Sequence, residues 1–243
     1  MPSPVTAAPR RAPLPPLVLP DGTLEWLKWL GVVLMTIDHI NKFLLASEHP
    51  WMLYAGRLTM PIFTAVLAYN LARPGALEKG LYKRTLERLL VFGTMTMPTY
   101  IAVGATVEDS FWPLNIMFCL AAVVVCVWLI DLDKPWATTT MIAVFAVAGM
   151  LVEYLWFGIG FGIAVWSYSR RPGWAAAVFV VLTCALLNIG NLLFWSLLAL
   201  PLLWLAHRLP LRMRRISLVF YAYYPLHFAV IWALQKTTTL SVV

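Results

Sequence analysis

Residues 35–42 read Met-Thr-Ile-Asp-His-Ile-Asn-Lys and lie within an otherwise apolar run over residues 24–46. A run of about 23 residues is long enough to cross the hydrocarbon core of a bilayer as a helix. A charged side chain at membrane depth costs several kcal/mol, so an ionisable residue there marks a functional-site candidate. Asp38 and His39 are therefore the first candidates, and the rest of the sequence must supply what offsets their burial.

The composition is that of a membrane protein. Of the 243 residues, 61% are hydrophobic and 12% are charged, whereas soluble domains carry roughly 25% charged residues. Long apolar runs at this composition predict an all-α fold, a polytopic integral membrane helical bundle, and leave no room for a sizeable soluble domain. The cations behind the net charge of +7 lie between apolar segments, which indicates membrane topology rather than a nucleic-acid partner. We expect three cysteines in apolar runs to be small buried hydrophobes, and their spacing predicts no metal site: Cys119, Cys126 and Cys184.

Nine apolar segments predict nine transmembrane helices, at about residues 24–46, 51–72, 86–104, 113–131, 136–153, 155–169, 174–190, 190–207 and 215–236. The Pro-rich stretch 1–23 is expected to be a flexible cytoplasmic tail, and 24–243 a single transmembrane helical domain. Fourteen Lys and Arg residues fall in the tail and the even-numbered loops. The odd-numbered loops hold only acidic charges: Glu48, Glu108, Asp109 and Glu153. Glu153, at a helix end, is expected to be solvated. The positive-inside rule then predicts a cytoplasmic N-terminus.

Four polar residues of three spans are expected at one depth. Counting 1.5 Å per residue from the predicted span ends, Asp38, His39, Arg57 and His227 fall in one layer at or above the middle of a core about 30 Å thick. Each has a structural alternative. Arg57 can snorkel or pair with Asp38, and either histidine can be an interhelical hydrogen bonder. Together they supply what proton transfer needs, because a carboxylate can hold an imidazole in its useful tautomer.

The ninth segment contains a second dense motif. Residues 220–227 read Phe-Tyr-Ala-Tyr-Tyr-Pro-Leu-His, so Tyr223 and Tyr224 lie four and three positions before His227. Residues at these spacings share a helix face. The alternatives are aromatic packing around a proline kink and the wall of a polar pocket.

The predicted cytoplasmic loops concentrate cations beside two spans. Membrane topology and attraction to anionic lipid account for such clusters. The functional alternative is a cradle for a phosphorylated donor such as a coenzyme A nucleotide. The candidate donor-binding residues are Lys83, Arg84, Arg88, Arg212, Arg214 and Arg215.

The two dense motifs, together with residues 56–63 (Gly-Arg-Leu-Thr-Met-Pro-Ile-Phe), resemble the TraX family, and within it the TrbP branch associated with conjugal transfer. The resemblance covers nearly the whole chain beyond the Pro-rich tail, although the middle spans are generic. It implies a multi-pass protein of the bacterial inner membrane. It also implies an enzyme that acetylates the N-terminus of a conjugative pilin subunit, with acetyl-CoA as acyl donor, no metal and no nucleic acid.

This expectation gives each candidate a role. His39 or His227 would be the general base, and Asp38 would orient or stabilise that base. Arg57 would stabilise the tetrahedral oxyanion, and Tyr223 or Tyr224 would add a hydrogen bond. The first, second and ninth spans must then be neighbours. The alternatives are a non-enzymatic membrane scaffold or chaperone for pilin, and an acyltransferase acting on a glycan or lipid acceptor.

Overall fold

The computed structural model describes residues 14–108, 110–189, 194–206, 208–209, 211, 213–214 and 216–240. These residues form ten α-helices and one short 3-10 helix at Phe194–Leu198, and none of them belongs to a β-strand. The α-helices are α1 Asp21–Leu44, α2 Pro50–Gly56, α3 Thr59–Leu71, α4 Leu81–Ala102, α5 Ile116–Asp131, α6 Pro135–Leu151, α7 Leu155–Arg170, α8 Trp174–Leu186, α9 Ala199–Ala206 and α10 Ser217–Leu240.

The all-α fold is confirmed, and each of the nine predicted segments coincides with a helix or with two consecutive helices. The second segment is broken, because α2 ends at Gly56 and α3 begins at Thr59. The fourth begins at Ile116 rather than 113, since the Asn115 side chain accepts a hydrogen bond from the Met117 backbone N–H at 3.0 Å and so caps α5.

Two helical stretches of the described residues, Pro50–Leu71 and Leu218–Thr237, are long and apolar enough to cross a membrane by length and composition. Large apolar side chains are also exposed on several helices, among them Trp136 on α6, Phe179 on α8 and Leu226 on α10. The topology of nine membrane crossings stays a prediction.

The helix carrying the Asp-His motif packs between the two elements that the sequence analysis placed beside it. α1 contacts α2 and α3 on one side and α10 on the other, and α10 also packs against α4. The predicted contacts of the first segment with the second and with the ninth are confirmed. The centre of the bundle is α5, which contacts α3, α4, α6 and α7. Its Cys119 and Cys126, like Cys184 on α8, are buried, as predicted.

Part of the stretch expected to be a flexible tail lies against the bundle. Helix α1 begins at Asp21, three residues earlier than predicted. Leu19 is 2% exposed, and its backbone N–H donates to the Tyr69 hydroxyl at 3.0 Å. The Tyr168 hydroxyl donates to the Pro15 carbonyl at 2.9 Å. Residues 1–13 lie outside the described part of the chain.

Candidate active site

A pair of histidines joins the two ends of the chain. His39 of α1 and His227 of α10 approach so that Nδ1 of His39 lies 2.8 Å from Nε2 of His227. Their rings are stacked, with centroids 5.1 Å apart and planes inclined by 10°. His227 is 6% exposed and His39 is half-buried. Two of the predicted site residues, separated by 188 positions, therefore form one hydrogen-bonded unit.

The backbone of α10 fixes the direction of this hydrogen bond. Nδ1 of His227 lies 3.2 Å from the Tyr223 carbonyl oxygen. A carbonyl only accepts, so this nitrogen carries the proton, and Nε2 of neutral His227 is left as an acceptor. His39 must then donate from Nδ1, which leaves the lone pair on its Nε2 free. His39 is therefore the member of the pair that keeps a free acceptor nitrogen, and its ring is oriented by His227.

Tyr223 and Thr36 make further contacts that hold the histidine pair in place. The Tyr223 ring stacks on His227 at 5.4 Å between centroids, with planes inclined by 5°. Its hydroxyl lies 2.7 Å from Oγ1 of Thr36, which itself donates to the Val32 carbonyl at 2.7 Å. Tyr223 therefore donates to Thr36. Thr36 was not among the predicted site residues, although its position one turn before His39 on α1 was a signal for it.

Apolar rings enclose the pair. Phe228 lies 4.9 Å and Phe43 5.7 Å from the His39 ring, between centroids. Tyr224, 3% exposed, lies 5.3 Å from the His227 ring. Its hydroxyl accepts a hydrogen bond from the Ile116 backbone N–H. Tyr224 thus serves as a wall anchored to α5.

Asp38 does not contact its neighbour in the way the sequence analysis expected. Successive residues of a helix point about 100° apart, so Asp38 faces α2 while His39 faces α10. A Cβ added to Gly56 would lie 2.4 Å from Cβ and Cγ of Asp38, so α2 approaches this carboxylate as closely as a glycine permits. The Asp38 Oδ1 atom is buried and has no hydrogen-bond partner among the described residues. The contact that orients His39 comes from His227 and not from Asp38, which corrects the orienting role. A role of Asp38 in stabilising the charged form of the base stays a prediction.

Arg57 lies at the break between α2 and α3, close to Asp38 but without an ion pair to it. The Arg57 charge acts on Asp38, yet no described acid lies within 4 Å of its guanidinium. Its Nη1 donates to Oδ1 of Asn188 at 3.4 Å. The Arg57 Nε and the Asn188 Nδ2 are buried donors that no described acceptor satisfies. Asn188 is 5% exposed and was not predicted.

Glu153 is the acidic residue that the sequence analysis misplaced. It was expected to be solvated at a helix end, but it is half-buried in the α6–α7 connection. The charges of Lys42, Asp38 and Arg57 all act on its carboxyl group. We call the group formed by Asp38, Arg57, Glu153 and Asn188 the polar chamber.

A cavity of about 160 Å³ lies between α1, α3, α4, α5 and α10. Its α1 wall is formed by Lys28, Val32 and Met35, and its α10 wall includes Tyr221 and Tyr224. His39 follows Met35 by four positions and His227 follows Tyr224 by three, so both walls continue along the same helix faces to the histidine pair. The polar residues of the lining are Lys28, Asn70, Thr85 and Arg88.

Among the four described members of the set predicted to hold a donor, only Arg88 lines this cavity, where its guanidinium lies 5.9 Å from the Tyr221 ring centroid. Lys83 is exposed and lies 3.8 Å from Glu87. Arg84 and Arg214 are exposed, and Arg212 and Arg215 fall outside the described residues. A donor-binding role for these residues stays a prediction. Lys28 was missed because it belongs to the apolar first segment rather than to a basic cluster.

Comparisons with known proteins give the chain a family. Protein TraX of Escherichia coli is 28% identical to it over 148 residues, which make up 61% of this chain and 54% of that relative. Protein TraX of Escherichia coli (strain K12) is 27% identical over the same length and shares. The matched stretch thus spans about half the length of these curated relatives. No solved structure matches. The family model described as TraX protein matches residues 23–235, most of the sequence, and the chain therefore belongs to the TraX family.

Proposed function

We propose that this protein is a membrane acyltransferase of the inner membrane that moves an acetyl group from acetyl-CoA to the N-terminal amine of a conjugative pilin subunit. The observation that carries the proposal is the histidine pair, in which His227 orients His39 so that a free imidazole nitrogen remains. A neutral imidazole held in one tautomer is the usual general base of acyl transfer. The exposed apolar surface and the two span-length helices support a membrane setting.

The transfer would run through His39. As the acceptor nitrogen attacks the thioester carbonyl and forms the new C–N bond, Nε2 of His39 takes the proton that the nitrogen loses. The His39–His227–Tyr223 chain of hydrogen bonds stabilises the resulting imidazolium, since Nδ1 of His39 already points at an acceptor. When the tetrahedral intermediate collapses, the C–S bond breaks and the proton passes from His39 to the departing thiolate. A buried, unsatisfied donor such as Nε of Arg57 supports a role in binding the oxyanion.

The cavity supports a position for the donor. Its lining is mainly apolar, with Arg88 on α4 and Lys28 on α1, of which Lys28 is ion-paired to Glu25 at 2.5 Å. A long, flexible donor with an anionic head suits this pattern, because cations bind phosphate and apolar walls receive a thioester arm. The shared helix faces would lead that arm to the histidine pair.

The test is the intact mass of the cognate pilin, made with and without this protein. We expect a shift of one acetyl group when the wild-type protein is present. No shift should occur with a His39→Ala variant that reaches the same membrane level. If the mass does not change but pili fail to assemble without the protein, the non-enzymatic scaffold is the better function.

A further inference from the structure

The α6–α7 connection holds Glu153 in place by backbone contacts to a distant segment. The Leu114 N–H donates to the Leu151 carbonyl at 2.8 Å, and the Glu153 N–H donates to the Leu114 carbonyl at 2.9 Å. This short parallel bridge ties the connection to the segment just before α5. The Trp112 indole adds a hydrogen bond of 2.8 Å to the Met150 carbonyl. The position of Glu153 is therefore set by the fold rather than left to a free loop.

The same connection contains backbone strain. Tyr154 and Leu155 have φ values of 65° and 52°, consecutive left-handed positions occupied by residues that rarely adopt them. Strained residues persist only where the surrounding structure determines their conformation, and they concentrate at functional sites. The two residues directly after Glu153 thus form a strained turn at the start of α7.

The polar chamber that includes Glu153 contains hydrogen-bonding groups that have no described partner. Among the described residues, no side chain or backbone group hydrogen-bonds to the carboxyls of Glu153 or Asp38. The Asn188 Nδ2, in a side chain that is 95% buried, is a donor without a described acceptor. Buried polar groups are normally satisfied, so the buried Oδ1 of Asp38 and Nδ2 of Asn188 indicate a ligand that satisfies them. The two carboxyls and the neutral amide donor match an ammonium followed by a carbonyl, while the remaining unsatisfied donor, Nε of Arg57, is the one proposed to bind the oxyanion.

We propose that Glu153, together with Asp38, binds the ammonium of an incoming polypeptide N-terminus, while Asn188 donates to the first carbonyl of that polypeptide. One of the two carboxylates takes the first proton of the ammonium, which frees the lone pair of the amine, and His39 takes the second proton as the C–N bond forms. This inference rests on the proposed function, because it assigns the acceptor subsite of the same reaction. The subsite lies on the face of α1 that meets α2, whereas the cavity lies along the face that meets α10. Donor and acceptor would then reach His39 from different sides.

The first experiment measures binding without catalysis. The probes are tetraalanine amide with a free N-terminus and the same peptide N-acetylated, titrated against the purified full-length protein in detergent and followed by the peptide-dependent rise in melting temperature. The wild-type protein should prefer the free amine. Glu153→Gln, which keeps the shape and removes the charge, should bind the free amine roughly tenfold more weakly or worse. Glu108→Gln, at an exposed glutamate of the α4–α5 connection, should keep the wild-type preference.

Two results would overturn the subsite: equal binding of both peptides to the wild-type protein, or a preference unchanged in Glu153→Gln. If that unchanged preference came with a lower melting temperature of the unliganded variant, Glu153 would only balance the charges of Lys42 and Arg57.

A second measurement separates this inference from the proposed function. In an acetyl-transfer assay, Glu153→Gln should raise the KM for the amine acceptor and leave the KM for acetyl-CoA unchanged. If the wild-type protein transfers acetyl groups but the acceptor KM is unaltered in the variant, the acceptor subsite is overturned and the proposed enzyme activity is not. If peptide binding depends on Glu153 but the wild-type protein transfers no acetyl group, the proposed enzyme activity is overturned and the subsite is not.

Discussion

His227 orients the His39 ring, as a carboxylate orients the catalytic histidine in many acyl-transfer sites. Unlike a carboxylate, His227 is a neutral group. Because its Nδ1 is committed to the Tyr223 carbonyl, it presents only an acceptor to His39. A neutral partner avoids placing a charge at this depth of the bundle, where a buried charge is expensive. The charged Asp38 instead points about 100° away from His39 on α1, and Arg57 lies near it at the break between α2 and α3.

The roles of the two histidines can be separated by substitution. His39→Ala removes the base, and kcat should fall by about a hundredfold to ten-thousandfold. His227→Ala leaves the base in place but unoriented, so the loss should be smaller. His227→Gln should recover part of that loss, because its side-chain oxygen can accept from Nδ1 of His39.

The measurement is the initial rate of labelled acetyl transfer in membranes with matched protein levels. A residue that only supports packing would not distinguish Gln from Ala in this way. If His227→Ala lost more activity than His39→Ala, the assignment of the base to His39 would be reversed.

At the scale of elements, the site depends on how closely α1 approaches its two neighbours. The α1–α10 seam is joined by the histidine pair and by the hydrogen bond between Thr36 and Tyr223. The α1–α2 contact depends on the absence of a side chain at Gly56. The sequence presents the polar groups of α1 as one compact motif. The two contacts place these groups in two separate environments.

The α1–α10 hydrogen bond should be measurable as a coupling energy. In a double-mutant cycle of Thr36→Val and Tyr223→Phe, the coupling should be about 0.6 kcal/mol, the average for such bonds between membrane helices. The quantity to measure is the free energy of unfolding in detergent micelles. Additive effects of the two substitutions would show that the pair contributes no mutual stabilisation.

The close contact of α2 with α1 makes a sharper prediction. Gly56→Ala would place a methyl group 2.4 Å from Asp38, against side-chain atoms next to the backbone. The overpacking should lower the free energy of unfolding by about 1–3 kcal/mol. The matched control is Gly160→Ala in α7, where the nearest atom to an added Cβ is Cγ2 of Thr183 at 3.5 Å, an ordinary contact. Equal stability of the two variants would contradict the tight α1–α2 contact.

At the scale of the whole molecule, the sequence could predict the features that depend on local hydrophobic periodicity and on the depth of a residue along its helix. Apolar segment lengths predicted the helices, and a common depth predicted that His39 and His227 meet. The orientation of Glu153 was beyond reach, because it depends on hydrogen bonds to Leu114, a residue of a different connection. The different facing of Asp38 and His39, about 100° apart, follows from helix geometry, but which neighbour each one meets depends on packing.

The molecule as a whole is arranged so that donor and acceptor take different routes, and this can be tested from the donor side. Arg88 lines the cavity, whereas Arg84, one turn before it on α4, is exposed and outside the lining. Arg88→Gln should therefore raise the KM for acetyl-CoA by roughly tenfold, as loss of a charge-assisted phosphate contact would. Arg84→Gln should leave it nearly unchanged. Neither should alter the KM for the acceptor, because the polar chamber lies on another face of α1.

The two arginine variants also decide between the cavity and the surface cradle that the sequence predicts. The basic cluster was predicted to act as a unit, so a cradle requires Arg84→Gln and Arg88→Gln to raise the KM for acetyl-CoA to a similar extent. A cavity requires the effect at Arg88 alone, since screening by water and salt weakens an exposed cation. Repeating the assay at higher ionic strength strengthens the test, because a surface cradle would lose donor affinity faster than a half-buried arginine. A selective effect of Arg88 that persists in salt would locate the donor between α1, α4 and α10, next to the histidine pair.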